Sequence, residues 1–253
     1  MILPPLHAMP EIPWYLAVCM FLGAALYSSV GHAGASAYIA LMALFGVQPA
    51  VMRPTALALN ILVAGFASLR YWHARLFRWR TVWPFMLGAV PFAFLGGGIQ
   101  LPGEYYRPLV GVVLLFAGIR FLLLTNLVAG RAPRDPPVWL AVLLGMGIGL
   151  LSGLTGTGGG IFLSPLLVMF AWCELRMASG VAAVFILANS IAGLAGNVVV
   201  VRALPPELPI YAVAVILGAL VGTSIGTKAP PLVIQRALGL VLIIAGLKLI
   251  GVY

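Results

Sequence analysis

The groups richest in chemistry in this chain are backbone amides. From Leu151 the sequence reads Leu-Ser-Gly-Leu-Thr-Gly-Thr-Gly-Gly-Gly-Ile-Phe-Leu-Ser-Pro165, with apolar sequence from Val138 to Leu150 and from Ile161 to Ala171. A helix cannot run cheaply through Gly158-Gly159-Gly160, because each glycine costs ~1 kcal/mol against alanine. Within a bilayer, broken backbone is tolerated only where it is buried in protein or lines a cavity. Packing motifs space small residues by four, whereas this run is contiguous, so it reads as a site. Glycine lets backbone approach a ligand closely. The first N–H groups of the helix that follows lack partners and carry partial positive charge, and such ends bind oxyanions. Gly156, Gly158, Gly159 and Gly160 are therefore candidate backbone donors. Thr155, Thr157 and Ser164 are candidate hydroxyl donors. A weaker copy, Gly31-His-Ala-Gly-Ala-Ser36, lies about 125 residues earlier, and there Gly31, His32 and Ser36 could play the same part.

Two amides extend the list. Asn60 and Asn189, the latter followed by Ser190, fall inside apolar segments. A buried amide is costly without a partner, so each either contacts substrate or glues helices together. Arg53 and Arg176 follow the two breaks and could draw anions in or anchor to lipid headgroups. The five acidic residues, Glu11, Glu104, Asp135, Glu174 and Glu207, all fall in expected loops or ends. A carboxylate proton relay and a cation substrate are therefore disfavoured. The glycine run is not a nucleotide loop, because Ile161 and Phe162 stand where Lys and Ser or Thr would be needed. Cys19 and Cys173 have neither disulfide nor metal spacing, and no cofactor or metal is expected.

These groups must be positioned by membrane helices. The chain is 63% hydrophobic and 8% charged, with mean hydropathy +1.14, against roughly 25% charged in soluble domains. That makes it a polytopic membrane protein and excludes nucleic acid as partner, despite a net charge of +9. Apolar segments run over 14–30, 36–47, 50–72, 82–98, 106–124, 138–154, 161–172, 176–201, 209–227 and 232–250. A span needs ~20 residues. Segments 36–47 and 161–172 are too short, and each follows a glycine break. Each break thus reads as the tip of a re-entrant hairpin, although two full spans would give the same charge topology. Arg70, Arg75, Arg78 and Arg80 place their loop in the cytoplasm. Counting from there puts Glu104 outside, Arg131 and Arg134 inside, Arg202 outside, Lys228 and Arg236 inside, and both termini outside.

The expected fold is all-α. A tail (1–13) precedes a first repeat (14–124), a cytoplasmic linker (125–137) and a second repeat (138–253). Each repeat is a broken-helix hairpin plus three transmembrane helices, and the second is inverted. Asn60-Ile-Leu-Val-Ala-Gly and Asn189-Ser-Ile-Ala-Gly echo one another. Inverted repeats with broken helices place substrate near the midplane.

The pattern Gly-x-Gly-Gly-Gly-x-x-x-x-Pro (Gly156 to Pro165), then Arg176-Met-Ala-Ser, then Asn189-Ser-Ile-Ala-Gly-Leu, resembles the sulfite exporter TauE/SafE family, also called toluene-sulfonate-uptake-type permeases. The resemblance covers most of the chain. Gly31-His-Ala-Gly-Ala-Ser-Ala and Gly180-Val-Ala depart from the family form. The resemblance implies export or uptake of small sulfur oxyanions, organosulfonates or related anions, by a permease of the bacterial inner membrane. Expected partners are a small anion and the lipid bilayer. A coupling ion (proton or sodium) and homo-oligomerisation stay open. The competing readings are a passive anion channel and an intramembrane serine hydrolase with Ser36 as nucleophile and His32 as base.

Overall fold

A computed structural model describes residues 13–29, 33–123, 133–197, 204–225 and 231–252. Gly31, His32, Arg131, Arg202, Lys228 and most of the tail and linker lie outside the described residues. Every regular element among the described residues is helical: α1 (Pro13–Ser29), α2 (Ala35–Leu44), α3 (Pro49–His73), α4 (Trp79–Gly98), α5 (Gly103–Leu123), α6 (Val138–Thr155), α7 (Gly160–Met169), α8 (Leu175–Gly196), α9 (Leu208–Ile225) and α10 (Pro231–Ile250). Four stretches are long and apolar enough to cross a membrane by length and composition: Pro49–His73, Trp79–Gly98, Val138–Thr155 and Met177–Gly196. With large apolar side chains such as Leu87, Leu143, Val213 and Leu217 exposed, the chain is a polytopic membrane protein.

Both glycine-marked breaks interrupt helix. α2 and α7 have 10 residues each, about 15 Å at 1.5 Å per residue, or half of a ~30 Å bilayer core. Each starts on a left-handed glycine cap, Gly34 (φ 99°) and Gly159 (φ 79°).

α3 and α8 form the centre and run antiparallel, since a Cβ on Gly65 would touch Leu187 and one on Gly193 would touch Leu57. α6 packs along α4 with little more than backbone between them. Cβ atoms on Gly145, Gly149 and Gly153 would lie 2.3, 2.2 and 2.2 Å from the carbonyl oxygens of Phe85, Ala89 and Ala93. This is a four-residue small stripe of the kind that lets membrane helices touch, and it holds α6 up to its break. On the other flank Gly218 and Gly222 of α9 meet the carbonyls of Phe21 and Ala25 of α1 in the same manner. The glycines late in α4 also serve packing: Gly96 lies against Leu150 and Gly97 against Gly193.

At one end of the bundle, Arg134 N–H donates to Ala171 O at 2.9 Å. The start of α6 and the end of α7 therefore lie together. The Arg78–Asp135 ion pair (3.2 Å) joins the arginine-rich loop to the same region.

Candidate functional site

The turn between α6 and α7 is built by three left-handed glycines, Gly156 (φ 85°), Gly158 (φ 75°) and Gly159 (φ 79°). In this region a residue with a Cβ pays ~1–2 kcal/mol. Space is equally restrictive. A Cβ on Gly156 would lie 3.0 Å from Arg53 Cγ, and one on Gly158 would lie 2.2 Å from Asn60 Nδ2. One on Gly159 would meet Ile148 at 2.9 Å, Phe185 at 3.0 Å and Asn189 Nδ2 at 3.4 Å. The turn thus descends along α3 from Arg53 to Asn60, with α8 opposite.

The donors at the turn are mostly backbone. Gly156 N–H closes α6 on Ser152 O at 2.8 Å. No hydrogen bond among the described residues uses the N–H groups of Gly158, Gly159, Gly160 or Ile161, and all four residues are buried. Successive left- and right-handed residues that turn their N–H groups to one side make an anion-binding concavity. The hydroxyls are turned elsewhere. Thr155 donates to Leu151 O (2.6 Å), so the 3.0 Å contact between Thr155 and Thr157 has Thr157 donating. Ser164 donates to Gly160 O at 2.9 Å.

Asn60 Nδ2 donates to Ser190 Oγ at 3.1 Å, which joins α3 to α8. Its Oδ1 has no partner among the described residues, and neither amide atom of Asn189 has one, although Asn189 is 0% exposed. A buried amide without a partner is expensive. Asn189 stands beside Gly159, on the wall of the turn.

At the other break, Tyr27 OH and Ser36 Oγ are 3.0 Å apart, and Tyr38 OH donates to Ala33 O at 3.0 Å. Gly31 and His32 of that break lie outside the described residues, as does the Arg176 side chain. Asn60 follows Arg53 by seven residues while Asn189 follows Arg176 by thirteen, so the two arginines do not occupy equivalent turns.

Arg53 is buried and closes helix ends. Its Nη1 donates to Ile99 O (2.8 Å) and Leu154 O (3.4 Å), and its Nη2 to Gly97 O (2.9 Å). These carbonyls end α4 and α6, where the helix dipole favours a cation. Tyr106 OH adds a bond to Thr155 O at 3.0 Å.

Sequence reasoning misses Arg120. It rises from α5 and donates to Ile161 O at 3.2 Å. That carbonyl would normally accept from residue 165, but Pro165 has no N–H, so the guanidinium supplies the missing donor. The signal is present in the sequence: Gly111-Val-Val-Leu-Leu-Phe-Ala-Gly118-Ile-Arg120 recurs as Gly239-Leu-Val-Leu-Ile-Ile-Ala-Gly246-Leu-Lys248. Lys248 Nζ donates to Leu44 O, the last residue of α2, at 2.7 Å. α5 thus holds α7, and α10 holds α2, each by a cation.

Comparison with known proteins agrees with this architecture. Residues 15–249 match the family described as Sulfite exporter TauE/SafE. The chain is 37% identical over 239 residues to the probable membrane transporter protein y4hK of Sinorhizobium fredii, covering 93% of this chain and 97% of that protein. It is 24% identical over 254 residues to the probable membrane transporter protein YjnA of Bacillus subtilis, covering 91% and 96%. No solved structure matches. A match that runs through both glycine breaks and every described helix settles the kinship: this chain belongs to the sulfite exporter TauE/SafE family of membrane transporters.

Proposed function

We propose that the protein is a secondary transporter of small anions, sulfur oxyanions or organosulfonates such as sulfite, in the bacterial inner membrane. It works by alternating access around a midplane site between two helical hairpins. One observation carries the anion reading: a buried turn whose N–H groups at Gly158, Gly159, Gly160 and Ile161 are unspent among the described residues, beside the amide of Asn189, which also has no partner among them. A turn edged by donors, with no carboxylate against it among the described residues, suits an oxyanion. Gly31, His32 and Ser36 at the first break, Asn60 and Ser190 between the breaks, and Arg53 and Arg176 as attractors belong to the same proposal, in which Thr155, Thr157 and Ser164 at the second break would turn from their protein acceptors to meet the anion.

The inverted-repeat reading has independent support. α5 and α10 share one sequence register, yet Gly111 meets Gly246 while Gly118 meets Gly239, so these equivalent helices run antiparallel. α3 and α8 do the same. The α4–α6 contact has its counterpart in α9–α1. The re-entrant reading draws on the length of α7 and on the Arg134–Ala171 hydrogen bond, which joins the start and finish of that hairpin.

Radiolabelled sulfite uptake into proteoliposomes tests the function. Saturation and counterflow are expected. Linear, non-exchanging flux would make the protein a channel, and no flux of sulfite, thiosulfate or methanesulfonate would sink the assignment.

A further inference from the structure

We propose that the cavity at the bundle end where α4 and α6 finish is a second small-anion site, in which Arg53 and Asn197 hold an oxyanion on its way to or from the glycine turn. Passage to and from the turn rests on the transport reading above; the binding itself rests on the cavity. It encloses about 290 Å³ between Gln48, Pro49, Arg53, Gln100, Tyr106 and Asn197. That volume suits a small oxyanion with some of its water and falls below most sites for drug-sized ligands.

Among the described residues its charge lacks a counter-ion. Arg53 is 6% exposed and spends three of its five N–H donors on carbonyl oxygens. Carbonyls are neutral dipoles, and no carboxylate among the described residues pairs with it. An ionised side chain inside a membrane protein marks an ion pathway more often than a structural need. A second buried donor belongs to a residue that lines the same space. Asn197, 2% exposed, accepts from Gln100 Nε2 through its Oδ1 (3.5 Å), while its Nδ2 has no partner among the described residues. A full positive charge and an unspent amide donor on one small cavity call for a ligand that brings acceptors and negative charge.

The cavity also adjoins the turn. Arg53 lines it, and a Cβ on Gly156 would lie 3.2 Å from Arg53 Cα. Tyr106 lines the cavity and holds Thr155 O. The longest of the three Arg53 bonds, 3.4 Å to Leu154 O, is the one an arriving anion would most readily displace. Its loss would loosen the end of α6 next to Gly156.

The test is calorimetric binding of sulfite and methanesulfonate to the purified full-length protein in nanodiscs. Gly159→Leu fills the turn, and one saturable binding event should survive it. Adding Asn197→Leu, or Asn197→Ala if the larger side chain lowers thermal stability, should weaken that event at least tenfold. The second site is overturned if Gly159→Leu abolishes all binding, or if both Asn197 variants leave the surviving event unchanged. If Gly159→Leu still transports while Asn197→Leu removes its residual binding, the midplane reading falls and the cavity site stands.

Discussion

At the scale of single residues, the turn is demanding because two constraints coincide at the same glycines. Gly159 needs a positive φ and has no room for a Cβ. Gly159→Leu should therefore abolish sulfite uptake, while insertion and helicity by circular dichroism persist, because the turn lies beyond the glycine stripe that fastens α6 to α4. Near-normal uptake by well-expressed variant would remove the turn from the site. Asn189 yields a prediction with two signs. Its amide is buried without a partner among the described residues, so Asn189→Ala discards a desolvation penalty of ~1–3 kcal/mol, and the melting temperature should hold or rise. Sulfite affinity should fall roughly tenfold or more. A lower melting temperature with unchanged affinity would identify Asn189 as glue between helices.

At the scale of elements, two glycine patterns do different jobs. Gly145, Gly149 and Gly153, spaced by four, put α6 on the carbonyls of α4. The contiguous Gly158-Gly159-Gly160 ends one helix and starts another. Gly149→Leu should thus lower expression and thermal stability by pushing α6 off Ala89, and by more than Gly159→Leu, whose strain and overpacking stay local to the turn. Comparing their melting curves checks the division, and equal losses would refute it. Arg120→Met should expose the defect left by Pro165, since Ile161 O would lose its donor in a buried place at a cost of about 1–3 kcal/mol. Arg120→Lys should recover part of that stability. A melting temperature unmoved by Arg120→Met would mean that α7 is held by its apolar contacts alone.

At the scale of the molecule, the contacts pair α1–α5 with α6–α10. Under the proposed inverted repeat, the loop at residues 74–80 and the segment at 133–135 lie on one face, joined by Arg78 and Asp135. Single cysteines at Ala74 and Pro133, in a background lacking Cys19 and Cys173, should share one labelling pattern with a membrane-impermeant maleimide in oriented vesicles. A cysteine at Gly103 should show the opposite pattern. Labelling of all three from one side would contradict the topology.

Much of this plan is legible in the order of residues. Hydropathy and charge make the chain a membrane protein of apolar helices, and the contiguous glycines locate the second break within a residue or two of its observed place, because glycine cost and helix length are local properties. The repeated Gly-x-x-x-x-x-x-Gly-x-cation register of α5 and α10 is legible too, although its meaning emerges only when Gly111 is seen against Gly246. What the tertiary structure alone decides is which polar groups remain unspent. Nothing in the sequence distinguishes Asn60, bonded to Ser190, from Asn189, bonded to nothing described. Nor does it show that the hydroxyls of Thr155 and Ser164 turn back onto carbonyls, or that Arg53 closes two helix ends beside a cavity. Hydrogen bonding is settled by neighbours distant in sequence, so the vacant donors of this site become visible only once α3, α6 and α8 have met.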